Sequence, residues 1–129
     1  MQALGIQILA EFYDCSSELL KDEEYIAKAM LDACLIGKAT VVTSTFHSFS
    51  PFGVSGVVVI AESHVAIHTW PEYAYAAVDI FTCGETIEPW LLFDHLANSL
   101  KSGHSSKMEL KRGLFNTGGS KLAHKPENA

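Results

Sequence analysis

The spacing of apolar and polar residues predicts one long helix near the N-terminus, preceded by a strand. Residues 4–12 alternate with the two-residue period of a β-strand. In the following stretch, SELLKDEEYIAKAMLDACLIG, the apolar residues recur at helical spacing. Asp14, Ser16 and Ser17 are typical helix-start residues, and Gly37 is a typical stop. We therefore expect a single helix between Ser17 and Gly37.

The remainder of the chain is rich in β-forming residues and contains a second helix. The predicted strands are residues 39–49, 54–61, 65–70, 75–83 and 107–115, and the predicted helix is residues 89–101. The resulting order, β-α-β-β-β-β-α-β, predicts an α+β fold. Two helices can cover only one side of such a sheet. We expect a two-layer α/β sandwich, with an antiparallel-rich sheet, two helices on one face, and the other face free for a site or a partner.

Composition narrows the class of protein. The chain has 129 residues, 48% of them apolar, which fits one domain at residues 1–116. A tail at residues 117–129, rich in Gly, Lys, Asn and Pro, is expected to be flexible. The net charge is −6 and basic runs are absent, so we expect no nucleic-acid partner. We also expect no membrane association, since no apolar stretch approaches the ~20 residues of a span.

Strand alternation assigns the chemically interesting side chains to one face of the sheet. That mixed face would hold His47, Phe49, His64, His68, Trp70, Asp79, Phe81 and Cys83. Such a face would form a pocket of aromatic walls and titratable groups. A zinc site from His64, His68 and Cys83 is conceivable, but their spacing matches no standard signature, so we expect no metal. Each residue, taken alone, also has an ordinary structural interpretation.

A specific family resemblance resolves this ambiguity. The block TSTFHSFSPFGVSGVVVIAESHVAIHTWPEYAYAAVDIFTCG, with AEFYDC before it and KRGLF after it, closely resembles the short prokaryotic S-adenosylmethionine decarboxylases. The resemblance covers roughly residues 1–115. The combination of ESH with IHTWPE is highly specific to that family.

The resemblance implies that the chain is a proenzyme that cuts itself between Glu62 and Ser63. The Ser63 hydroxyl attacks the carbonyl carbon of Glu62, an ester forms, and β-elimination releases a β chain of residues 1–62. Residue 63 then becomes a pyruvoyl group at the head of an α chain of residues 63–129. The residues that match Ser55 and His68 assist this processing, His68 as a proton acid or base.

The resemblance also implies how the mature enzyme works. The pyruvoyl cofactor forms a Schiff base with S-adenosylmethionine, and Cys83 returns a proton to the substrate carbon after CO₂ leaves. Phe49 and Trp70 would sandwich the adenine, and Glu72 would bind the ribose hydroxyls. The product would serve as the aminopropyl donor for spermidine and other polyamines. The family generally forms homodimers of processed protomers.

Three widely spaced cysteines without a CxxC pair and the absence of a signal peptide favour reduced thiols in the cytoplasm.

Two alternatives remain from the sequence. The same processing machinery could serve a pyruvoyl-dependent decarboxylase of ornithine or arginine, although Phe49, Trp70 and Glu72 favour a purine nucleoside. A non-catalytic regulatory homologue could keep the fold without the chemistry. Substitution of Ser63 by Ala would abolish cleavage in an enzyme and change little in a regulator.

Overall fold

The computed structural model describes residues 2–122 and contains six strands and three α-helices in that range. The elements are β1 (Gln2–Tyr13), α1 (Ser17–Leu20), α2 (Glu23–Ile36), β2 (Thr40–Ser48), β3 (Val54–Ala61), β4 (Ser63–Trp70), β5 (Tyr75–Cys83), α3 (Pro89–Ser99) and β6 (His104–Phe115). A short 3₁₀ turn, Pro71–Tyr73, joins β4 to β5.

The six strands form one sheet in the order β2-β3-β4-β5-β1-β6. Every neighbouring pair is antiparallel. The helices bury the apolar face of this sheet, because alternate residues of β1, β3, β4 and β5 are apolar and inaccessible to solvent. The core includes Ile8, Phe12, Ile26, Met30, Val58, Ile60, Val65, Ile67, Val78, Ile80, Leu92 and Leu96. The predicted two-layer α+β sandwich is confirmed.

The expectation of one helix between Ser17 and Gly37 is wrong, because two helices occupy that stretch. The Ser16 Oγ accepts a hydrogen bond from the Leu19 N–H and caps α1. After one short turn, the Asp22 Oδ1 accepts a hydrogen bond from the Tyr25 N–H at 3.1 Å and begins α2. Lys21 ends α1, and Asp22 starts α2, because an Asp side chain competes well for backbone N–H groups in non-helical conformations.

The two faces of the sheet follow the predicted alternation. On β4, Val65, Ile67 and Thr69 point into the core, while His68 and Trp70 lie on the opposite side. The buried Thr69 hydroxyl accepts from the Val54 N–H and donates to the Leu20 carbonyl, both at 2.9 Å. This hydroxyl therefore connects β4 to β3 and to α1. We call the side away from the helices the open face.

The strand ends and the tail refine the prediction. Strand β4 begins at Ser63, two residues earlier than the pattern indicated, so Ser63 is a strand residue. The described part of the tail lies against the start of the sheet: the Gln2 amide donates to the Ser120 carbonyl at 3.0 Å, and Lys121 pairs with Glu85 at 2.6 Å. Residues 123–129 of the predicted tail lie outside the described range.

Candidate active site

The predicted functional residues lie in two groups at opposite ends of β4. We call Glu62, Ser63 and Cys83 the Ser63 end. We call Phe49, Ser55, His68 and Trp70 the His68 end. Their positions follow from the antiparallel sheet, since each end of β4 adjoins a different end of β3 and β5.

At the Ser63 end, a hydroxyl and a thiol are in contact. Ser63 begins β4 and is paired with Thr82 of β5, so the neighbouring Cys83 lies beside it. The distance between Ser63 Oγ and Cys83 Sγ is 3.0 Å, and both residues are partly buried. Ser63 has φ = 129°, a conformation that residues other than glycine rarely adopt. A strained backbone at a potential reaction site is a recognised functional signal.

At the His68 end, a serine and a histidine form a direct hydrogen bond. Ser55 on β3 is the register partner of His68 on β4. The Ser55 Oγ lies 2.7 Å from His68 Nδ1, on the open face. This contact orients the imidazole and leaves Nε2 for another group, the arrangement that proton transfer by histidine requires.

Two partly exposed aromatic rings flank this pair. Trp70 at the end of β4 stacks on Tyr75, with ring centroids 5.3 Å apart. Phe49, just after β2, meets the His47 ring edge-on at 4.6 Å. Trp70 is 40% exposed and Phe49 is 51% exposed, so both rings have surface available for a flat ligand. Glu72 follows in the 3₁₀ turn and is exposed.

A small cavity lies next to the Ser55–His68 pair. Its volume is about 300 Å³. Its lining residues come from β2, β3 and β4: Thr45, Phe46, His47, Ser55, Gly56, Val57, Ala66 and His68. The surroundings of this histidine are therefore mainly apolar on one side and open to solvent on the other.

Tyr75 and Glu11 support the Trp70 ring, and sequence reasoning gave them no role. The Tyr75 hydroxyl donates to Glu11 Oε2 at 2.5 Å, and the Tyr13 hydroxyl donates to the same oxygen at 3.1 Å. Burial, together with the hydrogen bond to Glu11, raises the pKa of Tyr75 above its ordinary value. Tyr75 begins β5, and its contact with Glu11 depends on the pairing of β1 with β5, which is long-range and gave no local signal.

The two ends are too far apart to act together within one chain. Ser63 and His68 are separated by five residues of an extended strand. At about 3.3 Å per residue, this separation is roughly 17 Å. His68 therefore cannot transfer a proton to or from Ser63 of its own chain in this fold.

The described residues contain neither a metal-binding cluster nor a membrane-spanning helix. Between residues 2 and 122, no three His, Cys, Asp or Glu side chains are grouped so that they could hold a metal ion. His64 and His68 are four residues apart on one strand, roughly 13 Å, which is too far for a shared zinc ion. Within the same range, no helix has the length and apolar character needed to cross a membrane.

Comparison with known proteins identifies the family. The S-adenosylmethionine decarboxylase family profile matches residues 6–113. The chain is 52% identical over 115 residues to the S-adenosylmethionine decarboxylase proenzyme of Thermotoga petrophila, covering 89% of this chain and 88% of that one. The proenzyme of Acidithiobacillus ferrooxidans is 53% identical over 113 residues, which are 88% of this chain and 85% of that one.

A solved structure agrees with these relatives. The crystal structure of the adenosylmethionine decarboxylase from Aquifex aeolicus superimposes with a TM-score of 0.86 at 30% identity, covering 94% of this chain and all of that one. The family resemblance inferred from the sequence is confirmed. This chain belongs to the S-adenosylmethionine decarboxylase family.

Proposed function

We propose that this protein is a self-processing, pyruvoyl-dependent decarboxylase of S-adenosylmethionine. It would release CO₂ and the decarboxylated product that donates aminopropyl groups in polyamine synthesis. The observation that carries this proposal is the 3.0 Å contact between Ser63 Oγ and Cys83 Sγ, in a chain whose family members are named as proenzymes.

Self-processing would begin with the Ser63 hydroxyl. Its oxygen bonds to the Glu62 carbonyl carbon, the C–N bond of the peptide breaks, and the released amine takes the proton. Loss of the Ser63 Cα proton then expels the Glu62 carboxylate from Cβ. Water replaces the nitrogen of residue 63, which leaves as ammonia, and a pyruvoyl group remains. The torsion φ of Ser63 governs how closely Oγ approaches that carbonyl, so its unusual value of 129° supports this role.

Ser63 and its neighbours fit a ketone at this position, since the side chain lies at a strand end beside a potential acid. A pyruvoyl group would supply a carbonyl that condenses with an amine and accepts the electron pair left when CO₂ departs. Cys83 would donate the proton that the substrate carbon then needs, and solvent would restore the thiol. Phe49 and Trp70 would hold the adenine between their faces, and Glu72 would accept hydrogen bonds from the ribose.

We further infer that the working unit is a homodimer that shares its sites. The roughly 17 Å between Ser63 and His68 prevents cooperation within one chain. A twofold axis can bring one copy's His68 end to the other copy's Ser63 end, because such an interface pairs the same surface on both copies. The exposed Met108 and Leu110, 58% and 45% accessible, could be buried by such pairing.

We also propose a cytoplasmic location, in keeping with three free cysteines, of which Cys15 and Cys34 are buried.

Mass spectrometry under denaturing conditions tests the activity directly. Mature protein should give two chains, divided between Glu62 and Ser63, with a borohydride-reducible carbonyl at the head of the second. Labelled S-adenosylmethionine should release CO₂, whereas ornithine and arginine should not. One uncut chain without CO₂ release would contradict the proposal.

Co-expression of two inactive variants tests the shared site. Ser63→Ala chains retain His68, and His68→Ala chains retain Ser63. Alone, neither should be processed efficiently. In mixed dimers, the His68→Ala chain should be cut, because its partner supplies the histidine. Failure of that chain to be cut in isolated mixed dimers would contradict a site shared between copies.

A further inference from the structure

We propose that Gly5 is a positioning residue for Cys83. Because glycine has no Cβ, this position leaves room for the Cys83 thiol to lie against residue 63. Gly5 lies on β1, is buried, and is the register partner of Cys83 on β5. The inference rests on the proposed function, since it concerns how Cys83 delivers a proton.

A methyl group at position 5 would meet two side chains of β5. An ideal Cβ would lie 2.6 Å from Phe81 Cε1 and 3.1 Å from Cys83 Sγ. The first distance is shorter than carbon atoms tolerate, so the ring would have to move. The second would require the thiol to shift by a few tenths of an ångström. Close-packed interiors transmit such strain to their neighbours.

The Phe81 ring is already held from two sides, so it has little freedom to retreat. The Arg112 guanidinium lies 4.9 Å from the ring centroid, and its Nη1 donates to Gln7 Oε1 at 3.0 Å. On the opposite flank, the His64 ring meets Phe81 at 5.8 Å. Arg112 is the register partner of Gly5 on β6, so its side chain crosses β1 to reach β5.

The position of the thiol matters because two carbons compete for the same proton. A proton on the substrate carbon yields the decarboxylated amine. If the proton goes instead to the Cα of residue 63, hydrolysis leaves the substrate's nitrogen on that carbon, and residue 63 becomes alanine. The rest of the substrate is released as an aldehyde, whose oxygen comes from water. The second outcome inactivates the enzyme. Gly5 would therefore set how many turnovers precede inactivation, by acting through Cys83.

The test compares Gly5→Ala with wild type and with Gly37→Ala in the full chain. Gly37 is a matched control, since its Cβ would lie 3.2 Å from both the Glu88 carbonyl and Leu92 Cβ, outside the proposed site. Gly5→Ala should reduce turnovers per inactivation by about tenfold, because displacements below an ångström already affect reacting geometry. Edman degradation should reveal alanine at position 63, which a pyruvoyl group would block. Gly37→Ala should match wild type in both measurements.

Three results decide the matter. Wild-type values for turnovers per inactivation in soluble, cleaved Gly5→Ala would overturn the inference. If that variant does not fold, Gly5→Ala/Phe81→Leu removes the ring contact at 2.6 Å and keeps the thiol contact. Its turnovers should again fall relative to Phe81→Leu alone, and equality would overturn the inference. Absence of cleavage or CO₂ release in wild type would instead refute the proposed function.

Discussion

The two ends of β4 hold their groups in different ways. At the Ser63 end, the hydroxyl and thiol are partly buried and in contact, and the backbone adopts an unusual φ. At the His68 end, the imidazole, Trp70 and Phe49 are exposed on the open face. Bond-making chemistry requires fixed atoms, whereas a binding surface must remain open until its ligand arrives. The comparison supports the proposal that the Ser63 end holds the reacting atoms. The His68 end would offer a surface for ligand recognition and would supply its proton acid or base to a partner copy.

The largest expected effect comes from exchanging the serine at each end for alanine. Ser63→Ala should leave the chain uncut and abolish CO₂ release, since the attacking hydroxyl is gone. Ser55→Ala should slow cleavage by roughly 10²-fold and leave the cut site unchanged, because only proton transfer is impaired. Time courses of chain cleavage on denaturing gels measure both. Equal behaviour of the two variants would remove the distinction between the ends.

Loss of the thiol should separate processing from turnover. Cys83→Ala should still be cut at Ser63, and its kcat should fall by roughly 10²–10⁴-fold, the usual contribution of a positioned acid. Cys34→Ala, at a buried cysteine remote from the open face, should keep wild-type kcat. Steady-state formation of the decarboxylated product by the cleaved proteins provides the measurement. A Cys83→Ala enzyme with normal turnover would contradict the assigned role.

Substitutions of the aromatic residues should affect binding more than chemistry. Trp70→Ala or Phe49→Ala should raise KM by about 5- to 150-fold, as expected from ~1–3 kcal/mol per stacked base. Cleavage of the proenzyme should proceed near the wild-type rate. Trp70→Phe preserves an aromatic face and should show a smaller increase. Steady-state kinetics of the processed variants would contradict the stacking role if kcat fell while KM stayed constant.

The smallest effect concerns the helix-covered side of the sheet. Burial raises the pKa of Cys34 from 9.0 to about 11. The folded state therefore keeps this proton at pH values where the unfolded state loses it. The associated stability is present below about pH 9 and is lost as the pH rises towards 11. Urea unfolding from pH 8 to 11 should show a shallower decline for Cys34→Ala than for wild type. Met30→Leu, a buried change without a titratable group, should decline as wild type does.

The layers and faces could be predicted from sequence because they depend on local periodicity. Successive strand residues point to opposite sides, so Val65 and Ile67 were separated from His68 without knowledge of the fold. The division between α1 and α2 was missed because helical spacing continues through it, and only the Asp22 cap marks the break. A local hydrogen bond there prevailed over the periodic pattern.

The site was only partly predictable, since contacts between strands depend on register. The resemblance named Ser55, His68, Ser63 and Cys83 together, but their division into two distant pairs follows from how β3, β4 and β5 align. Gly5 did carry a local signal, because an isolated glycine in a strand often marks a close approach. What it approaches became visible only when β1 was paired with β5.

The strand order has a consequence for the proposed cut between Glu62 and Ser63. The first fragment would contain β1, β2 and β3, and the second fragment would contain β4, β5 and β6. In the sheet, β1 is inserted between β5 and β6, while β3 borders β4. The strands of the two fragments would thus be interleaved. Separating the fragments would break the backbone hydrogen bonds of three strand pairs: β3 with β4, β5 with β1, and β1 with β6. The cleaved protein should therefore unfold in a single thermal transition, and its two fragments should stay together under native conditions.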